Sequence, residues 1–410
     1  MTSVVSAEEA EAALLELASP PQPADPYPFY DILQRADKVY WSPSIGIWAI
    51  TGYDEVYAAS RTPNVSNGPR AAALRREDWE DHESLRLFLR AIVTLDPPDH
   101  TRVRGLASRV FTPASIKGLR PVIEKLANSQ LDDLADKAAG GQPVDLVDNL
   151  ASPFPVAVIS ELLGVPADQG KLFYDLANDW TRVWGGFYSD EDLAQANASV
   201  KELRNYFSDL LDERRARPRE DLLSSLVKEA KDSRLSEDEL MALATFLFVS
   251  GFETTTNLIS SGIYSLINNP DQLRNWRQDP GLTGSAVEEL LRHGTPISGT
   301  ARVITQEVRL GDHDIPPGQL VMLMLAAANR DPGKFPDPHR LDLSRDDGPH
   351  LSFGGGAHFC MGGNLARMEA QIIFPALFNR FSTMEVEGTP VWRDAIGLHG
   401  FQKLPLVLAP

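Results

Sequence analysis

A single cysteine stands in 410 residues. It is Cys360, within Phe353-Gly354-Gly355-Gly356-Ala357-His358-Phe359-Cys360-Met361-Gly362-Gly363, and a helical pattern follows from Asn364 to Phe381. Glycines permit positive φ and let a backbone approach something bulky and flat. The first turn of a helix offers unpaired N–H groups and a positive dipole end. Such a setting lowers the pKa of a thiol and holds it as thiolate. Three chemistries use a thiolate. Zinc wants further cysteines or histidines at close spacing, and only His358 is near. A cysteine nucleophile needs a histidine general base and an oxyanion hole, and His358 leaves that reading open. A sole strong ligand on a glycine-lined loop suits axial ligation of a haem. The bland alternative is an inert buried cysteine, the commoner fate of this residue type, and the glycines weigh against it.

A second unusual stretch is Ser250-Gly251-Phe252-Glu253-Thr254-Thr255-Thr256. It lies inside a segment apolar nearly all round, which reads as a buried helix. Glycine and consecutive β-branched residues are poor helix formers, a buried carboxylate is costly, and mid-helix hydroxyls bend helices by bonding back to carbonyls. Local conflict in the centre of a core is where function is expected. For oxygen chemistry, Gly251 would thin the helix, Glu253 could relay protons and Thr254 supplies a hydroxyl. A haem would also need partners for two propionates; His100, Arg104, Arg302 and His350 are available.

The elements that must position these groups are mostly helical. Ser236-Glu237-Asp238-Glu239 fits a capping box, so the buried helix is expected from Ser236 to Asn268, about 50 Å long. Asp96-Pro97-Pro98-Asp99-His100 signals another helix start, with His100 and Arg104 at i,i+4 on one face. Residues 112–230 read as helical segments broken at prolines and glycines, with Trp180, Val183, Trp184, Phe187 and Tyr188 as core. Val39–Trp41 and Ile47–Ile50 read as a hairpin, and the chain turns β-rich again after Pro296. Residues 63–83 read as a long loop with a helical turn or two, a form that tends to carry function. Residues 1–24 read as a partly ordered N-terminal arm and 25–410 as one domain.

Charge narrows the classes. Lys+Arg number 39 against 57 Asp+Glu, a net charge of −18, which argues against nucleic acid as a general partner. No run of about 18 apolar residues marks a membrane anchor, no secretory signal is evident, and one cysteine fits a reducing compartment. The expected location is cytoplasmic and the expected state a monomer.

With these motifs in order, the chain resembles a soluble bacterial-type cytochrome P-450. Phe353-x-x-Gly356-x-His358-x-Cys360-x-Gly362 matches the haem-binding signature of that family at each defining position. Glu289-x-x-Arg292, Asn329-Arg330-Asp331-Pro332 and Arg340 match its structural network, which the resemblance has Arg340 complete. Gly251-x-Glu253-Thr254-Thr255 matches its oxygen-activation motif and His100-Thr101-Arg102-x-Arg104 its propionate-binding helix. Ser250 departs from the pattern, which has Ala or Gly there; its hydroxyl is expected to bond a carbonyl of the preceding turn.

The resemblance implies a mainly α fold with a smaller β region, triangular, with a long central helix over a haem and the cysteine-ligand loop beneath it. It implies a monooxygenase with haem b, inserting one atom of dioxygen into a hydrophobic small molecule by hydroxylation, epoxidation or dealkylation. Cys360 would ligate the metal. Glu253, Thr254 and Gly251 would be catalytic, and His100, Arg104, Arg302, His350, His358, Phe353 and Gly362 would hold the cofactor. No flavin or iron–sulfur signature is present, so electrons are expected from an external ferredoxin and its reductase, with Arg102, Arg109, Lys117, Arg120 and Arg367 as a docking patch. Pocket walls are expected from residues 63–88, 180–188, 247–255, 296–301 and 397–401, with Ser298, Thr300 and His399 as polar anchors. A peroxide-driven peroxygenase, a non-catalytic haem sensor and a cysteine hydrolase are the alternatives.

Overall fold

The computed structural model describes residues 5–19, 21–67, 78–109, 111–166, 170–184, 188–231, 234–393 and 397–409. Contacts gather the chain into two compact units. Met1–Arg70, Ser261–Cys360 and Val391–Gln402 form the first; Ala71–Ser260, Met361–Pro390 and Lys403–Pro410 form the second. Each draws on three separate stretches.

In chain order, the elements used below are α1 (Ala7–Ala18), α2 (Tyr27–Ala36), β1 (Val39–Ser42), β2 (Ile47–Ile50), α3 (Tyr53–Ala59) and β3 (Val65–Ser66). Next come α4 (Asp99–Ala107), α5 (Arg120–Ala138), β4 (Val144–Asp145), α6 (Pro153–Leu163), α7 (Glu237–Ile267) and α8 (Thr283–His293). The last are β5 (Thr300–Ile304), β6 (Leu320–Leu323), α9 (Gly363–Arg380), β7 (Thr383–Val386) and β8 (Pro405–Ala409).

The first unit is built on a five-stranded sheet of order β1-β2-β6-β5-β3. The hairpin forms as expected, from Val39↔Ile50 to Ser42↔Ile47, with Gly46 at φ 65° in its turn. β2 then pairs in parallel with β6, and β5 joins β6 antiparallel. One face of the sheet packs Ile50, Val56, Val321, Leu323, Phe335 and Leu351 into a core. α1 starts on a capping box in which Ser6 and Glu9 exchange hydrogen bonds. Its Ala10, Ala13, Leu14 and Leu17 are buried and pack with Tyr30 and Leu33 of α2. The N-terminal stretch therefore carries a packed helix, because apolar residues at i, i+3, i+4 and i+7 form one stripe.

The second unit is mainly helical. α5 packs on α9, the helix that follows the cysteine, and β4, β8 and β7 form a small antiparallel sheet. α7 runs 31 residues, within two residues of its expected bounds. Its start is capped as the sequence required: Glu239 N–H donates to Ser236 Oγ (3.2 Å), and Ser236 N–H to Glu239 Oε2 (2.8 Å).

Candidate haem-thiolate site

The cysteine loop is held by its own backbone and by a buried polar hub. Cys360 N–H donates to Phe353 O at 2.9 Å, closing the turn. Gly354 and Gly356 sit at φ 66° and 63°, where a side chain would be strained. A Cβ on Gly356 would also lie 2.2 Å from the Ser60 carbonyl oxygen just past α3. The middle glycine of the run, Gly355, has the same neighbouring residue, Ser60. Behind the loop stands Asn329, fully buried. Its Nδ2 donates to Thr295 Oγ1 and Ser352 Oγ, both at 2.8 Å, and its Oδ1 accepts from Leu351 N–H at 2.6 Å. Ser352 Oγ donates onward to Leu291 O of α8. One amide thus fixes the strand of chain leading into the loop. The sequence motif named Asn329, but not this task.

Within that frame Cys360 is exposed, as is Phe359 beside it (42%). An inert buried cysteine is excluded. Gly354 and Gly362 face open space, with nothing within 4 Å of a Cβ built on either. Gly362 is the residue before α9. Phe353 is half-buried, its ring 5.6 Å from that of His350 and 6.2 Å from that of Phe359. His358 is half-buried and ends a single 3-10 turn, Gly356–His358. Among the described residues no group of three or more His, Cys, Asp or Glu is placed to share a metal.

Two expectations for the first unit are corrected. His350 is half-buried, its side chain only 5% exposed, with both ring nitrogens engaged. Nδ1 accepts from Ser352 N–H (3.1 Å), so Nε2 carries the proton and meets Glu288 (3.2 Å). It braces the loop and has no nitrogen left for a propionate. The network was expected to close on Arg340. Arg292 instead forms a double hydrogen bond with Glu289 (2.7 and 2.8 Å), and the second cation on that carboxylate is Arg345, whose Nε lies 3.3 Å away. Arg340 gives only its backbone carbonyl; its side chain is 65% exposed, near Asp342. Arg345 follows Arg340 by five residues in the same meander, a spacing the motif does not weigh. Arg302, on β5, is buried, and its guanidinium donates to Thr300 Oγ1 and to the Ala301 carbonyl. Thr300 is thereby occupied as a polar anchor.

In the second unit, α7 is buried continuously from Leu240 to Ser260 except at Ser250, Gly251 and Thr254. That window coincides with the stretch whose local rules conflict. Glu253 beside it is 1% exposed. Thr254 Oγ1 donates to the Ser250 carbonyl at 3.3 Å. The back-bond expected of Ser250 is therefore made by Thr254 onto Ser250, and the Ser250 hydroxyl itself makes no hydrogen bond among the described residues. Gly251 also has a packing role. A Cβ there would lie 2.6 Å from Ile159 Cδ1, so the missing side chain lets α6 pack against α7.

His100 on α4 is buried, and Arg104 one turn on is half-buried. Burial lowers the His100 pKa, the Arg104 charge lowers it further, and Asp96 opposes both. A neutral ring beside a guanidinium suits a carboxylate that would accept from both. Of the expected docking cations, Arg102 is paired with Glu239 and Asp99, Arg109 with Glu229, and Arg120 with Glu124. Those carboxylates cancel most of the patch.

Haem b brings a flat macrocycle, an iron that takes an axial ligand, and two propionates. The donor set fits it. The first unit, taken by itself, has an accessible thiol on an open glycine loop and a buried arginine. The second, taken by itself, has a histidine–arginine pair, and a buried acid next to a half-buried alcohol.

Comparison with known proteins defines the class. A family model for cytochrome P-450 matches residues 68–405. The chain belongs to the cytochrome P-450 family, and is a haem monooxygenase of small molecules whose cofactor is haem b. The cytochrome P-450 monooxygenase PikC of Streptomyces venezuelae is 38% identical over 398 residues, covering 93% of this chain and 91% of that protein. The 6-deoxyerythronolide B hydroxylase of Saccharopolyspora erythraea is 38% identical over 372 residues, 88% of this chain and 90% of that protein. Among solved structures, P-450 BioI in complex with hexadec-9Z-enoic acid ligated acyl carrier protein superposes with a TM-score of 0.86 at 31% identity, covering 94% of this chain and 98% of that one. Among the described residues no helix is long and apolar enough to cross a membrane.

Proposed function

We propose that this chain uses dioxygen and electrons from an external ferredoxin to oxidise a hydrophobic small molecule, with Cys360 as the residue that would ligate the haem iron. The observation that carries the reading is the window in α7: in a helix otherwise buried for six turns, the accessible residues are Ser250, Gly251 and Thr254, and the buried acid is next to them. A sensor or a peroxygenase has little use for an acid–alcohol pair at such an opening.

Haem, when bound, would supply the oxidising power, and the electron density of a thiolate ligand would favour O–O cleavage. The chain's own residues do the rest. Cys360 Sγ is the ligand, and the Asn329 hub keeps its loop in one conformation. His100, Arg104, Arg302 and His358 would hold the propionates, and Phe353 and Gly362 would line the cofactor. Thr254 Oγ1, tethered to the Ser250 carbonyl, presents its lone pairs to a hydrogen-bonding guest, and the Glu253 carboxyl is the proton source beside it. The apolar cluster of Phe88, Trp184 and Phe246, with ring centroids 5.2 and 5.3 Å apart, supports an apolar substrate.

Recombinant protein loaded with haem and supplied with a ferredoxin and its reductase tests this. 6-Deoxyerythronolide B and hexadec-9-enoic acid, free and linked to an acyl carrier protein, are the probes. The expected result is oxidised product from at least one probe in proportion to nicotinamide consumed. Thr254→Ala should keep the haem and divert reducing equivalents to peroxide and water, lowering product yield by about tenfold. Cys360→Ser should abolish the thiolate-type carbonyl spectrum. Fully coupled turnover in the Thr254 variant, or survival of that spectrum, would overturn the assignments.

A further inference from the structure

Asn257 lies four residues after Glu253 and three after Thr254 on α7. It is fully buried, and neither its Oδ1 nor its Nδ2 has a protein partner among the described residues. A primary amide carries two donors and an acceptor with two lone pairs. Buried polar side chains are paired in the large majority of cases, with internal water where protein does not reach. The hydroxyls nearest in sequence do not serve it. Thr256 Oγ1 donates to the Phe252 carbonyl, and Ser260 Oγ to the carbonyls of Thr256 and Asn257. Asparagine is also a poor choice for a helix interior, so local stability does not explain it. Side chains at i and i+4 share a helix face, their Cβ atoms about 5–6 Å apart, a gap one water molecule bridges.

We propose that Asn257 is a positioning residue: its amide holds an internal water that also hydrogen-bonds the Glu253 carboxyl. The water keeps that buried acid solvated and oriented toward the Thr254 side of the helix. This rests on the oxygen-activating role proposed for Glu253 and Thr254.

Two variants of the haem-loaded protein separate the outcomes. Asn257→Leu keeps the volume and removes the hydrogen bonds. Asn257→Ser keeps a hydroxyl and leaves room for water. A crystal structure of the unaltered protein should show ordered density between Asn257 and Glu253; dry contact there overturns the proposal. Asn257→Leu should lower the melting temperature by about 1–3 °C. A rise would show that the amide is a dry orphan, and would overturn the proposal as well. With a probe that turns over, Asn257→Leu should release several-fold more peroxide per nicotinamide oxidised while KM stays put, and Asn257→Ser should restore coupling. Equal coupling in the Leu variant would refute the positioning role. If no probe is oxidised by the unaltered protein, the oxygen-activating reading fails instead, and the crystallographic and thermal results still decide where the water sits.

Discussion

Glu369 on α9 is 1% exposed, and burial alone raises its carboxyl pKa well above the ordinary range. A raised folded-state pKa means that the folded form prefers the neutral acid. Its contribution to stability is therefore full below the usual carboxylate pKa and is lost as pH climbs through the folded value. Glu369→Gln should leave stability unchanged near pH 4 and increase it at neutral pH, flattening the curve. Denaturant midpoints measured across that range check this, and parallel curves for the two proteins would refute it. At this scale the sequence was legible where one residue type is irreplaceable. Cys360 had no competitor in the chain, and the structure leaves it exposed. His350 and Arg340 were misplaced because several histidines and arginines lie close together in the meander. Which of them reaches a carboxylate depends on side-chain direction, which spacing does not encode.

The crossing of α6 and α7 gives an element-scale test. Gly251→Ala would drive a methyl group to 2.6 Å from Ile159 Cδ1, and overpacking of this kind costs about 1–3 kcal/mol. Ile159→Ala alone should cost about 2–5 kcal/mol through the cavity it opens. The double variant should cost less than the sum, because each change answers the other. Urea unfolding of the four proteins measures the coupling, and additivity would show that the glycine has no packing role. Helix bounds were readable to within a residue or two in α7 and α9, since capping residues and apolar periodicity mark them directly. The purpose of Gly251 was not. A glycine in a helix looks the same in sequence whether it opens a groove or admits a neighbour.

Across the whole molecule, the Glu289–Arg292–Arg345 cluster ties α8 to the meander. The pair is almost fully buried, at 1% and 2% side-chain exposure. Removing one member leaves a charge uncompensated, at about 3–5 kcal/mol. Arg292→Ala should therefore yield little folded, haem-loaded protein. Arg345→Ala should be clearly destabilised, whereas Arg340→Ala should stay within about 0.5 kcal/mol of the unaltered protein. Chemical denaturation of the two single variants discriminates; a larger loss at Arg340 would reverse the assignment. The sheet of the first unit has a different kind of consequence. β2 pairs in parallel with β6, about 270 residues further along the chain. At a synthesis rate of about 5–20 residues per second, the hairpin leaves the ribosome roughly 15–50 s before its partner strand exists. Through that interval Ile47–Ile50 presents an open edge, a template for wrong pairing. Yield in a host should then follow elongation rate and chaperone supply more closely than the stability of the finished protein.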